Sequence, residues 1–381
     1  MSAPASSSSS PRVLLVGGGV ASLAVALRLA RLNWEITILE ADPGASGRGH
    51  GLLLPPAASA DLEALGVAPR DFGMPLEGFE LCHRDGSNRR LFALEGCCGV
   101  LRRDLMDALQ TALPTSVHHH RGRCLGLEVR TDGTLQVITE DEGARQADLI
   151  VAADGVASPC RRSLFPGARL TPERVTELVL DLVAPGAFTK LHGHCVKFED
   201  PSAGLALGLM PCRPDRVVIY AQLATARYPL PSPLDGTAVL HRLFMGWNDW
   251  LDAWLDAIPG AQVHRWRTTD LDPLPRLHRG NVVLVGDAAH PLLPFTSQGV
   301  PAALADALAL GHCLEGVDPR RPADLATALA RYSDRRLPAM AQLIDQGRQL
   351  QHQFLVPDGG DGSRMPPLAG YPSRPVTLTT G

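Results

Sequence analysis

Arg12-Val-Leu-Leu-Val16-Gly17-Gly-Gly19-Val20-Ala21-Ser22, followed by the alanine- and leucine-rich Leu23 to Leu32 and then by Glu35-Ile-Thr-Ile-Leu39-Glu40, decides the fold. Val13 to Val16 has the β-branched and leucine content of a buried strand, and the glycine triplet closes it. Leu23 to Leu32 is made of good helix formers, and Glu35 to Leu39 returns to strand composition, so the first 40 residues form one βαβ unit. The turn reads Gly17-x-Gly19-x-x-Ser22. Gly17 permits the tight turn, and Gly19 lets backbone approach a pyrophosphate at the positive helix end beside Val20 and Ala21. Glu40, at the end of the second strand, can accept both hydroxyls of an adenosine ribose. Ser22 stands where a third glycine is usual, the mildest enlargement after alanine.

Asp148-Leu-Ile-Val-Ala-Ala-Asp154-Gly155 reads as a buried strand ending in an acid and a glycine, and Asn281 to Val285 ends likewise in Gly286-Asp287. Cys124 to Arg130 and Thr134 to Thr139 alternate as a hairpin around Asp132-Gly133. Between residues 173 and 270 the pattern changes to strands of antiparallel length: Glu177 to Val183, His192 to Glu199, Leu205 to Met210 and Arg216 to Leu223. Helices are expected at Val100 to Leu113, at Leu234 to Ile258, and from about Pro301 to Gln353 with a break near Val317 to Pro322. The tryptophan stripe of Leu234 to Ile258 (Trp247, Trp250, Trp254) reads as core-facing, because Asp249, Asp252 and Asp256 would repel an anionic membrane.

Composition narrows the function. The 381 residues carry 36 basic and 40 acidic side chains, a formal charge of -4, without the basic excess of a nucleic-acid binder. Eight cysteines include no C-x-x-C pair, so neither a zinc ribbon nor a thioredoxin-type pair is written here, and reduced thiols in a cytoplasmic compartment fit. The apolar run Val13 to Leu27 is too short and too broken by glycine to span a bilayer. MSAPASSSSSP has no positive region ahead of its serines and reads as a disordered leader. His118-His119-His120 has no partner at metal spacing, Cys97-Cys98 reads as packing, and no metal site is expected.

Taken together, the glycine turn, Asp154-Gly155 and Gly286-Asp287-Ala-Ala-His290-Pro291 with Pro294 and Gln298-Gly299 resemble the three sequence marks of the class A FAD-dependent monooxygenases. These are aromatic hydroxylases with a para-hydroxybenzoate-hydroxylase-like fold, and the resemblance runs from about residue 12 to about residue 340. It implies an α/β architecture: a Rossmann-type FAD-binding domain with a parallel sheet, a smaller, mainly antiparallel-sheet substrate domain, and C-terminal helices. The spans expected are a leader at 1–11, the FAD-binding domain at 12–172 and 271–356, the substrate domain at 173–270, and a disordered tail at 357–381.

By the same resemblance, Gly17, Gly19, Val20, Ala21 and Glu40 hold the ADP half of FAD, and Arg102 reaches the phosphates or ribityl chain. Asp154 and Gly155 match the motif that serves FAD and transient NADPH or NADH. Gly286 and Asp287 meet the ribityl chain, while Pro294, Gly299 and Val300 lie by the isoalloxazine and Arg48 belongs to a flavin-side loop. The amides at the helix start by Gly299 and Val300 can face anionic reduced flavin. The implied reaction is hydroxylation of an electron-rich aromatic small molecule with NAD(P)H and oxygen through a flavin hydroperoxide, with no catalytic side chain of its own. A dehydrogenase or reductase on the same fold, or a non-catalytic flavin sensor, are the alternatives. The latter is motivated by Pro56, Pro301 and Ala305, which depart from the family pattern. The substrate is expected between flavin and the middle sheet, with His192, His194 and Tyr220 as candidate lining by alternation.

Overall fold

The computed structural model describes residues 10–44, 51–141, 143–356 and 375–376. Arg48, most of the leader, and the tail apart from Pro375–Val376 lie outside the described residues.

Arg12–Val16 pairs in parallel with Glu35–Glu40 on one side and with Leu149–Ala152 on the other, as the βαβ reading requires. Val282–Leu284 continues the parallel sheet beside Leu149–Ala152, and His118–Arg121 lines the far edge beside Glu35–Glu40. Helix Val20–Ala30 packs against helix Gly299–Cys313, so the central strands are covered and their residues, Leu149 to Ala152 among them, are fully buried. This explains their unbroken apolar runs. The long helical region divides into Gly299–Cys313 and Pro322–Leu355, separated by the expected break.

The second sheet has eight strands, at its centre Val175–Val183, Arg216–Ala224, Leu205–Arg213 and His194–Asp200, paired antiparallel in that order. It also takes in Gly78–His83 and Arg90–Ala93, which fall inside the 12–172 span, and Pro375–Val376 from the tail. Gly78–His83 runs parallel to His194–Asp200 across more than a hundred residues of sequence. A pairing that distant leaves no local pattern to read.

Alternation along these strands gives the sheet two unlike faces. Leu178, Leu180, Phe198, Leu207 and Ile219 pack on one side against Phe244, Trp247, Leu251 and Trp254. The residues between them face the other way. The single helix expected at Leu234 to Ile258 is two, Gly236–Phe244 and Asp249–Leu255. Gly246 takes a left-handed conformation (φ 79°), and the Asn248 side chain caps the second helix by accepting from the Leu251 amide at 2.9 Å. Trp247 and Trp254 are core residues as expected, whereas Trp250 is 40% exposed.

Candidate functional site

Two cavities meet at the end of the parallel sheet. The strand-edge one, about 480 Å³, is bordered by Gly18, Gly19, Glu40, Arg102, His119 and His120. The other, about 380 Å³, runs from Gly19, Val20 and Ala21 past Arg102, Gly155 and Asp287 to the second sheet. Gly19 and Arg102 border both. The histidine run is therefore a strand, but His119 and His120 border a cavity instead of merely decorating an edge.

The glycine turn has a steric reason at each position. A Cβ on Gly17, whose φ is 101°, would fall 2.3 Å from the Ala153 carbonyl oxygen, so strand and turn can approach only with glycine there. Around Gly19 nothing lies within 4 Å of a Cβ position, and the backbone is open to a ligand. Glu40 accepts from the Gly18 amide and, at 2.7 Å, from the Asp42 amide. It thus shapes the turn while bordering the cavity.

Arg102 begins helix Arg102–Ala112, and its side chain makes no hydrogen bond with any described residue. Burial lowers its pKa, and the nearby Asp287 carboxylate opposes that. Conversely burial raises the pKa of Asp287, against His290, Arg102 and Arg161. An unpartnered cation at the junction of two cavities, beside open glycine backbone, fits an elongated ligand with an anionic middle. The donor set fits a dinucleotide.

Not every expected site residue lines the cavities. Asp154 turns inward: its carboxylate accepts from the Ser158 hydroxyl and, at 3.0 Å, from the Cys160 amide, fixing the start of helix Pro159–Leu164. Cys124 Sγ and Cys160 Sγ lie 3.6 Å apart in the same corner as free thiols, and their hydrogen bond holds the Cys124 pKa down. Gly286 sits behind the cavity wall, its amide donating to Asp306 at 2.8 Å, and Gly17 is likewise buttress, not lining. Gly155, Asp287, Pro294, Gly299 and Val300 do border the cavity that runs to the second sheet.

The scaffold of the Asp287 turn leaves no mark in the sequence. Arg161, 3% exposed, donates to the carbonyls of Asp287 at 3.1 Å and Ala288 at 2.9 Å, and also to that of Val156. On the other side Asp306 accepts from His290 Nε2 at 2.6 Å and Arg336 Nε at 2.7 Å. Burial pushes the Asp306 pKa up, but His290, Arg336 and the Gly286 amide together hold it below the usual range. These partners are scattered in sequence, so spacing does not reveal them.

Two departures from the family pattern prove structurally mild. Pro301 lies in the first turn of Gly299–Cys313, where its missing N–H has no intrahelical partner to lose. Pro56 opens helix Pro56–Leu65, a favoured proline position. The amides of Gly299 and Val300 remain at the cavity.

The lining of the second sheet corrects the phase of one strand. Cys195, Lys197 and Glu199 face the cavity, while His194 Nδ1 pairs with Glu80 Oε1 at 2.7 Å and His192 lies exposed in a left-handed turn before the strand. A one-residue shift in phase exchanges the faces. Tyr220 does line the cavity, and with it Glu177, Gln222 and Trp266.

The family described as FAD binding domain matches residues 11–347. The chain belongs to the class A FAD-dependent aromatic hydroxylases. Among its relatives, 3-amino-4-hydroxybenzoate 2-monooxygenase PtnB3 of Streptomyces platensis is 30% identical over 92% of this chain and 90% of the relative. A salicylate hydroxylase of Pseudomonas putida is 28% identical over 86% of this chain and 81% of its own. In fold the hydroxylase resembles Klebsiella pneumoniae HpxO, solved with FAD and uric acid, with a TM-score of 0.78 at 24% identity over 91% and 90% of the two chains. It is an FAD-dependent monooxygenase that uses NAD(P)H and oxygen on small aromatic substrates. Among the described residues no helix is long and apolar enough to cross a membrane.

Proposed function

We propose that the two joined cavities hold FAD, with the adenosine end in the strand-edge cavity and the flavin end in the one that runs to the second sheet, and that the aromatic substrate binds between the flavin end and that sheet. The observation that carries this is the sharing of Gly19 and Arg102 by both cavities. Bound flavin, reduced by NAD(P)H, supplies the oxygen-transfer chemistry.

The residues of the chain bind, orient and exclude water. Glu40 would meet the ribose, and Gly19, Val20 and Ala21 would offer backbone at the helix start to the pyrophosphate, opposite the Arg102 guanidinium. Asp287, buttressed from behind by Arg161, would hold the ribityl hydroxyls. The free amides of Gly299 and Val300 would put the positive end of their helix against charge on the flavin. Leu293, Pro294, Phe295 and Phe354 border the same cavity and shield it from water. The spans 12–172 with 271–356, and 173–270, serve in this reading as cofactor and substrate domains, strands Gly78–His83 and Arg90–Ala93 being lent to the latter. All eight cysteines are free, which supports the cytoplasm as the compartment.

Asp287→Ala tests the placement. Purified and desalted, the variant is expected to lose most of the flavin absorbance that the parent retains. Full retention would place the cofactor elsewhere.

A further inference from the structure

On the cavity side of the second sheet, hydrogen-bond register sets polar side chains in two rows. Glu177 pairs with Gln222, Gln222 with Ala206, and Ala206 with Glu199. One step along, Val179 pairs with Tyr220, Tyr220 with Gly208, and Gly208 with Lys197. Strands stand about 4.8 Å apart, so the rows span on the order of 14 Å, enough for a substituted ring. The central strand contributes only Ala206 and Gly208, which makes a trough between longer side chains. The Tyr220 ring leans into it: a Cβ on Gly208 would fall 2.1 Å from Tyr220 Cζ.

These polar ends have little use for one another. The hydrogen bond among them runs from Gln222 Nε2 to Glu177 Oε1, at 2.7 Å. Gln222 Oε1 is buried without a donor, and neither Lys197, Glu199 nor Tyr220 hydrogen-bonds any described residue through its side chain. Among the described residues no carboxylate lies within 4.0 Å of the Lys197 ammonium, although Glu199 and Glu177 are near enough to act on it through space. Buried polar groups in native proteins are normally satisfied, and unspent donors and acceptors converging on a mostly apolar cavity mark the place of a ligand. Burial lowers the Lys197 pKa, which the two carboxylates resist, and raises that of Glu177 to about 7.

We propose that this patch selects a ring carrying both an acidic group, held by the Lys197 ammonium, and a hydroxyl or amino donor, held by Glu199 or Glu177. The proposal rests on the reading that the substrate lies in this cavity. Lys197 and Glu199 stand two residues apart on one strand, so acid and donor on neighbouring ring positions would meet them together. A neutral monofunctional phenol leaves the ammonium unsatisfied, and a ring acid without a donor faces the two carboxylates uncompensated.

The test titrates oxidised, FAD-loaded protein with phenol, benzoate, hydroxybenzoates and aminobenzoates, reading the perturbation of flavin absorbance. The parent should bind hydroxybenzoates or aminobenzoates at least about tenfold more tightly than either phenol or benzoate. Lys197→Met should weaken ring-acid binding by at least about tenfold, Lys197→Arg should recover most of it, and Glu199→Gln should erode the preference for donor-bearing acids over benzoate. Flavin content and melting temperature report whether each variant is folded. If Lys197→Met binds the ring acids as tightly as the parent, or if phenol binds the parent best, the proposal fails. Oxygenation is scored separately. A neutral ring that is oxygenated while ring acids do not bind overturns the patch and leaves the monooxygenase; ring acids that bind through Lys197 and are never oxygenated do the reverse.

Discussion

Arg161 donates to the Asp287 carbonyl at 3.1 Å, so the helix that follows Asp154-Gly155 is bolted to the turn that carries Asp287, the acid we propose for the ribityl chain. Two of the sequence marks are thereby one structural unit. Arg161→Met would leave the carbonyls of Val156, Asp287 and Ala288 without this donor, a loss of about 2 to 4 kcal/mol. Both melting temperature and flavin retention should fall. A variant that keeps both would show the turn to be held by other contacts.

Ser22 brings the opposite expectation. Its hydroxyl is fully buried and has no hydrogen-bond partner among the described residues. Ser22→Ala removes an unsatisfied group at nearly constant shape, so stability should rise by about 1 kcal/mol, or a melting temperature higher by about 2 °C. A lower melting temperature would mean that the hydroxyl does have a partner.

Gly208 matters for the room it leaves. Gly208→Ala must displace the Tyr220 ring, so aromatic ligands should bind at least about tenfold more weakly, while flavin content, which we propose depends on the end of the parallel sheet, stays near that of the parent. Titration of the flavin-loaded variant checks this, and unchanged ligand affinity would refute it.

Glu177 gives a pH signature. Burial raises its pKa to about 7, against an ordinary 4.5, so folding favours the neutral acid. That contribution is fully present below about pH 4.5 and is lost as pH rises through about 7. Glu177→Gln cannot ionise, so its stability relative to the parent should grow between pH 5 and 8, by on the order of 3 kcal/mol at most. Melting curves of both proteins across that range measure it; a constant difference would show that Glu177 titrates normally.

The parts of the fold legible in sequence were those written in consecutive residues. The glycine turn, the acid ending the second strand and the two strand-ended acid motifs all act through local geometry, and each lies where its pattern predicts. Alternation found the four central strands of the second sheet, yet on His194–Asp200 it put the cavity face one residue out of phase, which named His192 and His194 where Cys195, Lys197 and Glu199 line the cavity. Strand-phase errors of this kind are invisible until register is known. Gly246 and Asn248 carried the signal for the break that divides the tryptophan helix, a left-handed glycine and a capping asparagine, but the apolar stripe continues across it. Arg161, Asp306 and Arg336 could not be found from spacing, because they act on a turn to which only the folded chain brings them.

Oxygen labelling decides whether the enzyme is a monooxygenase. Flavin-loaded protein turning over with NAD(P)H and a hydroxy- or aminobenzoate under oxygen-18 gas should release a hydroxylated ring carrying one labelled atom, with little hydrogen peroxide. A hydroxylated product labelled only from water, or substrate oxidised with no oxygen gained, would contradict a monooxygenase.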